Sequence, residues 1–267
     1  MKDPEFITIL NEKGLELYRD MPWRRDTHGY YVLVSEIMLQ QTQVDRVLPK
    51  FEAFILRFPD FQTLAASSLA DVLTLWSGLG YNRRAKFLHD AAKTIVAEHT
   101  AELPATYEEL VKLPGVGKNT AGALLAYVYN QPVLYIETNV RTVYLHHFFA
   151  GRTDVADNSI LEKLAATIDT EHPREFYWAL MDYGSWLKRT GVRNNAASKH
   201  YRKQTPLTGS VREVRGYILR VLTAGQITLS ALQEAADTHD GRFETAYEQL
   251  LKEGLIEQSK QSVCLTK

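Results

Sequence analysis

The stretch that most constrains the fold is residues 113–139, which read LPGVGKNTAGALLAYVYNQPVLYIETN. Pro114, Gly115 and Gly117 separate two segments of helical spacing, so the chain has to turn sharply between two helices. The first N–H groups of the second helix lack partners within that helix, and glycines let a ligand approach the backbone. This hairpin predicts a phosphate-binding site, with an ordinary helix–helix turn as the alternative that the local pattern leaves open.

Two parts of this stretch carry polar groups. Lys118, Asn119 and Thr120 begin the second helix and are predicted to offer backbone N–H groups to a phosphate. Glu137 is a carboxylate at the end of an otherwise apolar segment. Two interpretations of Glu137 are open: a functional carboxylate, and a carboxylate favoured by the dipole of a helix that begins near Val140.

Composition limits the class of protein. The chain has 267 residues, of which 45% are hydrophobic and 24% charged, as is typical of soluble globular domains. Its net charge of −1 means that a nucleic-acid surface would need local segregation of cations. Cys264 is the single cysteine, which excludes an intrachain disulfide and a four-cysteine cluster. Without an apolar run of about 18 residues or a basic–apolar leader, we expect a soluble intracellular protein.

The spacing of apolar residues predicts an all-helical region of roughly ten short helices up to about residue 205. We expect a loop at residues 23–25, a helix from residue 31 that continues to residue 48, and another over residues 51–58. A second glycine turn then precedes Arg83 and Arg84. These two arginines are predicted to contact phosphates, with a solvated helix start as the alternative.

Beyond residue 187 the composition changes. Six cations and no acid lie between residues 188 and 203, and a linker pattern follows at residues 205–210. The final segment shows three helical patterns and two short strand patterns, which is typical of a winged helix. We therefore predict two domains, residues 1–205 and 206–267. The cations of the stretch are Lys188, Arg189, Arg193, Lys199, Arg202 and Lys203.

Five sequence blocks carry a resemblance to a known family. They are PWR (22–24), SEIMLQQTQV (35–44), LWSGLGYNRRAKFLHDAA (75–92), LPGVGKNTAGALL (113–125) and IETNVRTV (136–143). In order, spacing and content they resemble the helix-hairpin-helix (HhH-GPD) DNA glycosylases, and within these the adenine glycosylases of the MutY type. The resemblance implies an all-α, two-lobed fold that binds DNA across a cleft with one nucleotide flipped out, followed here by the small winged-helix-like domain.

The resemblance implies a role for each polar residue of the second block. A base inside a duplex has to be extruded, at a cost of a few kcal/mol, before it can react. Gln41, with Gln40 beside it, matches the residue that fills the gap. Glu36 matches the general acid, and its apolar neighbours would help it to hold a proton near neutral pH. The alternative for Glu36 is a solvent-facing glutamate on an amphipathic helix.

The hairpin blocks carry the other implied roles. Glu137 stands where the family has an aspartate that stabilises the sugar cation, and Asn139 matches the family's asparagine. Asn119 stands where bifunctional relatives have a lysine nucleophile, so we expect a monofunctional enzyme that leaves an abasic site. The family also implies a monovalent cation held by the carbonyl groups of Leu113 and Val116.

The chain departs from the family in two ways. It lacks the four cysteines of the iron–sulfur loop, and we predict that the basic stretch replaces this loop as a phosphate-binding surface through Arg189, Arg193 and Lys199. A solvated linker is the alternative. The C-terminal segment also does not resemble the domain that reads the oxidised guanine opposite the target.

The sequence thus predicts a monofunctional DNA glycosylase of base excision repair, which removes adenine mispaired with 8-oxoguanine or guanine. The alternatives are a thymine or uracil mismatch glycosylase on the same fold, and a non-catalytic DNA-structure-binding protein. We expect double-stranded DNA as the partner, no membrane association, a monomer, and a cytoplasmic, nucleoid-associated location in a prokaryote. We expect no cofactor beyond the structural cation of the hairpin.

Overall fold

The structure is a computed structural model that describes residues 1–199, 206–236, 238 and 240–267. Helices dominate, and the chain divides into two compact units. The first comprises Met1–Val32, Ala105–Lys112 and Val116–Gln204, and the second comprises Leu33–Pro104, Leu113–Gly115 and Thr205–Lys267. Over the described ranges, no helix is both long and apolar enough to span a bilayer.

The helices and strands follow one another with short connections. The helices are α1 (Asp3–Glu16), α2 (Pro22–Arg25), α3 (Gly29–Leu39), α4 (Val44–Arg57), α5 (Phe61–Ala66), α6 (Leu69–Trp76), α7 (Arg83–Glu98), α8 (Tyr107–Leu110), α9 (Lys118–Tyr129), α10 (Thr138–Phe148), α11 (Asp157–Thr167), α12 (Pro173–Arg189), a 3-10 turn (Asn195–Ala197), α13 (Val211–Leu222), α14 (Leu229–Ala236) and α15 (Arg242–Lys252). The strands are β1 (Ile227–Thr228), β2 (Ile256–Ser259) and β3 (Ser262–Leu265).

Helix α12 lies at the centre of the first unit, where it packs against α1 and α10. A glycine allows the contact with α1, because a Cβ atom added to Gly14 would lie 2.8 Å from the Cβ of Ala179. The buried ring of Phe6 on α1 packs 5.2 Å from the ring of Tyr144 on α10. These contacts explain the apolar spacing of α1 and fix the position of α10, the helix that follows Glu137.

A buried ion-pair network holds α2 in the first unit. Asp182 on α12 accepts hydrogen bonds from Arg24 (2.7 Å) and from the side chain of Arg19 (2.6 Å). The Arg24 guanidinium also lies 5.4 Å from the ring of Tyr18 and 5.2 Å from that of Trp178. The expected loop at residues 23–25 was wrong, because Pro22 opens a short helix whose arginine is bound by these partners.

In the second unit, the break between α3 and α4 differs from the prediction of a helix over residues 31–48 and another over 51–58. Helix α3 ends at Leu39, and α4 continues without a break through Pro49. A proline inside a helix costs about 3 kcal/mol because it removes a hydrogen bond and clashes with the preceding turn. Burial of Phe51 and Phe54 on the other face of α4 offsets this cost.

The buried indole of Trp76 at the end of α6 organises the rest of this helical part. Its ring packs 6.3 Å from that of Phe54, and its Nε1 donates a 3.2 Å hydrogen bond to the carbonyl oxygen of Gly80. Helix α7 packs against both α5 and α6. The glycine turn between α6 and α7 is therefore held from its inner side.

The C-terminal segment contains three helices and a three-stranded antiparallel sheet in the order β1-β3-β2. The predicted ribbon of two strands is confirmed as β2 and β3, with Ile256 paired with Leu265. Strand β1 was not expected, because two residues are too few to show alternation; it pairs Ile227 with Val263. The sheet contacts α6 through β3, so this segment packs against the rest of the second unit.

Candidate active site

Glu36 lies in the last turn of α3. Its neighbours Val34, Ile37 and Met38 are all buried, whereas Glu36 keeps partial exposure. The carboxyl group therefore stands at the edge of a buried apolar surface, which is the environment that the sequence predicts for the general acid. Its catalytic role stays a prediction.

The end of α3 is set by Arg84 on α7. Its Nη1 donates hydrogen bonds to the carbonyl oxygens of Ile37 (2.8 Å), Met38 (2.8 Å) and Gln40 (2.6 Å). The last carbonyls of a helix have no partners within the helix, and a cationic side chain can satisfy them. Helix α3 therefore ends where an arginine from another helix caps it, one turn after Glu36.

The prediction that Arg84 contacts a phosphate was wrong. The residue is buried, and its Nη2 donates to Thr42 Oγ1 and to the carbonyl oxygen of Gly80, both at 3.0 Å. Burial lowers the pKa of Arg84 to about 10, which leaves it charged at neutral pH. Its donors are directed into the protein, so it positions the backbone. The neighbouring Arg83 is exposed, and its phosphate contact stays a prediction.

Gln40 and Gln41 form the connection after α3. Gln41 is exposed and has φ 57°, a left-handed conformation that costs a non-glycine residue about 1–2 kcal/mol. Gln40 Nε2 donates a 3.3 Å hydrogen bond to the carbonyl oxygen of Gly115. Gly115 has φ 78°, and an added Cβ would lie 2.8 Å from the Cβ of Phe87. The structure thus brings Gln40 and the hairpin glycine together, although they lie far apart in the sequence.

Glu137 is the N-cap of α10. Its side-chain carboxylate accepts hydrogen bonds from the backbone N–H groups of Asn139 and Val140, the latter at 3.0 Å. The helix-cap interpretation of this residue is confirmed, and its role at the sugar stays a prediction. Burial raises the pKa of the Glu137 carboxyl, while the N–H of Val140 and the ammonium of Lys188 act in the opposite direction.

Lys188 was predicted only as part of a phosphate-binding stretch, and the structure places it near Glu137. It lies in the last turn of α12, and burial lowers its pKa while attraction to Glu137 opposes this shift. One turn earlier, a Cβ added to Gly184 would lie 2.5 Å from the carbonyl oxygen of Asn139, so α12 lies directly against the start of α10. No sequence signal links Lys188 to Glu137, because the two residues lie on different helices.

Within the described ranges, the side chain of Asn139 has one polar atom without a hydrogen-bond partner. Its Nδ2 lies 3.6 Å from the sulfur of Met181, and its Oδ1 is buried with no partner among the residues that the structure describes. Buried acceptors are normally satisfied, so we expect Oδ1 to accept a hydrogen bond from a donor outside the described residues. The contribution of Asn139 to catalysis stays a prediction.

Gly117 is the N-cap of α9, and the two side chains that follow it have different surroundings. Lys118 is exposed, whereas the Nδ2 of Asn119 donates a 2.6 Å hydrogen bond to the carbonyl oxygen of Ile136. Asn119 therefore ties α9 to the backbone just before Glu137. The backbone N–H groups of Lys118, Asn119 and Thr120 lie at a helix start, as predicted, and their binding to a phosphate stays a prediction.

The basic stretch is anchored as far as residue 199. Asn194 Nδ2 donates to the carbonyl oxygen of Thr142 at 2.9 Å, and the N–H of Lys199 donates to the carbonyl oxygen of Val155 at 3.0 Å. These two contacts tie the stretch to the rest of the first unit, and its role as a phosphate-binding surface stays a prediction. The three cations predicted to bind phosphates there are all exposed, namely Arg189, Arg193 and Lys199.

Three other predictions are not tested by the structure. Arg202 and Lys203 lie outside the described residues, as does the domain boundary at residue 205. Leu113 and Val116 are buried, and the cation predicted at their carbonyl groups stays a prediction.

Comparison with known proteins places the chain in a family. A family model described as "HhH-GPD superfamily base excision DNA repair protein" matches residues 34–168, which contain Glu36, the hairpin and Glu137. The chain belongs to the HhH-GPD superfamily. The helical fold inferred from the five sequence blocks is thereby confirmed.

Among HhH-GPD relatives, the chain is 36% identical to an adenine DNA glycosylase of Mycobacterium tuberculosis (strain CDC 1551 / Oshkosh) over 262 residues, covering 90% of this chain and 86% of that protein. The adenine DNA glycosylase of Homo sapiens is 36% identical over 180 residues, covering 62% of this chain and 33% of that protein. The chain is therefore a member of the adenine DNA glycosylases, which are DNA N-glycosylases. Its likeness to the mycobacterial relative covers more of the chain than its likeness to the human one.

Solved structures of HhH-GPD type show the same fold. A thermostable thymine-DNA glycosylase matches with a TM-score of 0.63 and 20% identity, covering 73% of this chain and 94% of that one. A trapped Endonuclease III–DNA covalent intermediate matches with a TM-score of 0.60 and 18% identity, covering 78% of this chain and 91% of that one. At these identities the likeness concerns the fold alone.

Proposed function

We propose that this HhH-GPD member is a monofunctional glycosylase that hydrolyses the N-glycosidic bond of a flipped-out adenine mispaired with 8-oxoguanine or guanine in double-stranded DNA. The observation that carries the proposal is the 36% identity to an adenine DNA glycosylase over 90% of this chain, a match long enough to include both candidate carboxylates.

Glu36 supplies the proton in the proposed reaction. Adenine is a poor leaving group as an anion, so a ring nitrogen has to be protonated as the bond to the sugar breaks. Glu36 is partly exposed, and its neighbours Val34, Ile37 and Met38 are buried. In the proposed reaction, this proton leaves with the base and a water molecule adds to the sugar carbon that the base has left. The proton that the water loses restores the acid form of Glu36.

Glu137 supplies negative charge near the sugar, which acquires oxocarbenium character as the base leaves. Two backbone N–H groups hold the carboxylate at the start of α10, so it does not have to reorganise during the reaction. The Glu137 side chain is one methylene longer than the aspartate that the HhH-GPD resemblance implies at this position. The hydrogen bond from Asn119 to Ile136 sets the backbone from which this longer side chain extends.

The enzyme leaves an abasic site and does not cut the strand in this proposal, because an asparagine stands where a nucleophilic amine would be needed. We further propose that it acts as a monomer in the cytoplasm, associated with the nucleoid of a prokaryote. It needs no iron–sulfur cluster, since its single cysteine cannot supply four ligands. A structural cation at the hairpin carbonyls remains part of the proposal.

One experiment tests the substrate. Duplexes that carry A opposite 8-oxoguanine, A opposite G, T opposite G, or U opposite G are incubated with the enzyme and then treated with alkali to cleave abasic sites. Product from the first two duplexes alone supports the proposal. Product from the T or U duplexes alone would assign the enzyme to the pyrimidine mismatch glycosylases.

A matched pair of variants separates an enzyme from a DNA-binding protein. Glu36→Gln removes the proton donor and keeps the shape of the side chain, so excision is expected to fall by about 100-fold or more. Glu52→Gln, at an exposed position on α4 of the same unit, is the control and is expected to match the wild type. Equal product from all three proteins would exclude Glu36 as the acid.

A further inference from the structure

The C-terminal segment contacts the glycine turn between α6 and α7 through Arg212. Arg212 in the first turn of α13 donates a 2.5 Å hydrogen bond from Nη1 to the phenol oxygen of Tyr81, and its guanidinium carbon lies 5.6 Å from the centre of that ring. Its Nη2 also donates to the carbonyl oxygen of Pro206 at 3.2 Å. Both residues belong to the second unit, and the contact joins its first and last chain segments.

The turn that Arg212 contacts differs in backbone conformation from the helices on either side. Gly78, Gly80 and Tyr81 have φ of 94°, 75° and 48°, so three residues of four are left-handed. Among the described residues, apart from the two chain neighbours of Gly80, no atom lies within 4 Å of a Cβ added to this glycine. Tyr81 keeps 37% of its surface exposed. Trp76 and Arg84 hold the Gly80 carbonyl from the inner side. The turn thus presents an exposed aromatic ring on a fixed backbone.

Cations surround this turn. Exposed Arg46 on α4 donates a hydrogen bond to the carbonyl oxygen of Gly78, and exposed Arg83 opens α7 with its guanidinium 4.9 Å from the ring of Phe87. Arg212, which is partly exposed, adds a third guanidinium from the C-terminal segment. The neighbouring acid Glu213 accepts a 2.8 Å hydrogen bond from the N–H of Gly209, on its own segment.

We propose that Arg212 binds a backbone phosphate of the DNA duplex, so that the C-terminal segment completes a phosphate-binding surface formed with Arg46 and Arg83 around Tyr81. Guanidinium groups bind phosphate oxygens through paired N–H donors, and Arg212 is already oriented by the Tyr81 phenol. This role rests on the proposed function in one respect only, namely that the partner is duplex DNA.

The proposal gives the C-terminal segment a function that its net charge does not suggest. Residues 211–267 carry seven Lys or Arg and eight Asp or Glu, so the segment as a whole is not basic. One arginine close to the cations of another segment can bind a phosphate even when its own segment is not basic, because electrostatic contacts with phosphates act within the Debye length.

Salt dependence of binding tests the proposal without relying on catalysis. Each phosphate contact contributes about 0.9 to the slope of log K against log salt. Arg212→Gln keeps a donor for Tyr81 and removes the charge, so its slope is expected to fall by about 0.9 from the wild-type value. Arg212→Lys keeps the charge and is expected to retain the slope. The probe is a fluorescent duplex with A opposite 8-oxoguanine, compared with its fully paired homologue.

Two controls make the result specific. Arg220→Gln removes an exposed arginine from the same helix, where it packs over Tyr217, and is expected to leave the slope unchanged. Tyr81→Phe removes the hydrogen-bond acceptor and keeps all three guanidinium groups, so the slope is again expected to be retained. An unchanged slope for Arg212→Gln beside a reduced slope for Arg46→Gln would overturn the proposal. If the enzyme releases a base from no duplex, the proposed function fails while the slopes still report on Arg212.

Discussion

The side-chain nitrogen of Asn119 lies 2.6 Å from the carbonyl oxygen of Ile136 and donates a hydrogen bond to it. This contact joins the first turn of α9 to the residue that precedes Glu137. In the sequence, Asn119 is notable because it is not a lysine. In the structure, its side chain has a role of its own. It holds the extended segment from which the Glu137 carboxylate reaches the start of α10.

Replacing Asn119 by Ala should loosen this segment without changing any charge. We expect single-turnover excision of adenine to slow by about 10- to 100-fold, because small displacements of a catalytic group are costly. Asn11→Ala, at an exposed position of α1, is the matched control and should leave the rate unchanged. A wild-type rate in Asn119→Ala would show that the hydrogen bond does not position Glu137.

The absence of an amine at position 119 predicts the outcome of borohydride trapping. A lyase forms a Schiff base with the sugar that borohydride reduces to a stable protein–DNA adduct. We expect no trapped band from the wild-type protein under conditions where adenine is released. A band that disappears in Lys118→Ala would contradict this expectation, because Lys118 is exposed and lies next to Asn119 in the sequence.

Removing Lys188 should shift the pH dependence of excision. Burial raises the pKa of Glu137 and the Lys188 ammonium lowers it, so Lys188→Met should raise this pKa further. Protonated Glu137 cannot stabilise a sugar cation, so the acidic limb of the single-turnover rate should move to higher pH.

The control for this shift is Arg189→Met, which removes an exposed neighbouring cation. It should leave the acidic limb where it is in the wild-type protein. Equal shifts in both variants would indicate a general charge effect. No shift in Lys188→Met would show that the Lys188 ammonium does not affect the pKa of Glu137.

Asp182→Asn should destabilise the protein more than any exposed acid would. The side chains of Asp182 and Arg24 are 1% and 2% exposed, and the variant leaves the guanidinium without its carboxylate. Loss of one partner of a buried ion pair costs about 3–5 kcal/mol in the free energy of unfolding, which urea denaturation measures. Asp20→Asn removes the 58% exposed partner of Arg25 and should leave the midpoint nearly unchanged. Similar midpoints for the two variants would refute the importance of the buried network.

A helix position could be predicted where a glycine turn precedes regular apolar spacing, and α9 begins at Lys118 as expected. The end of α3 could not, because the residues from Glu36 onward keep a helical pattern through Leu48. The helix is ended by Arg84 of α7, whose guanidinium donates hydrogen bonds to the carbonyl oxygens of Ile37 and Met38 in α3 and of Gln40 just after it. A cap supplied from a distant part of the chain leaves no local pattern.

The sequence alone determined the class of this protein: five ordered blocks, a glycine hairpin, two carboxylates and an asparagine in place of a lysine. These features are local, because turns, helix starts and reactive groups depend on residue type and spacing. Only the tertiary structure decided how they are supported. It placed Arg84 inside the protein, Lys188 near Glu137, and Arg212 against Tyr81, since such contacts depend on how helices pack. The glycine hairpin could be predicted from the sequence. The packing of Gly115 against Phe87 and the hydrogen bond from Gln40 to the Gly115 carbonyl oxygen could not.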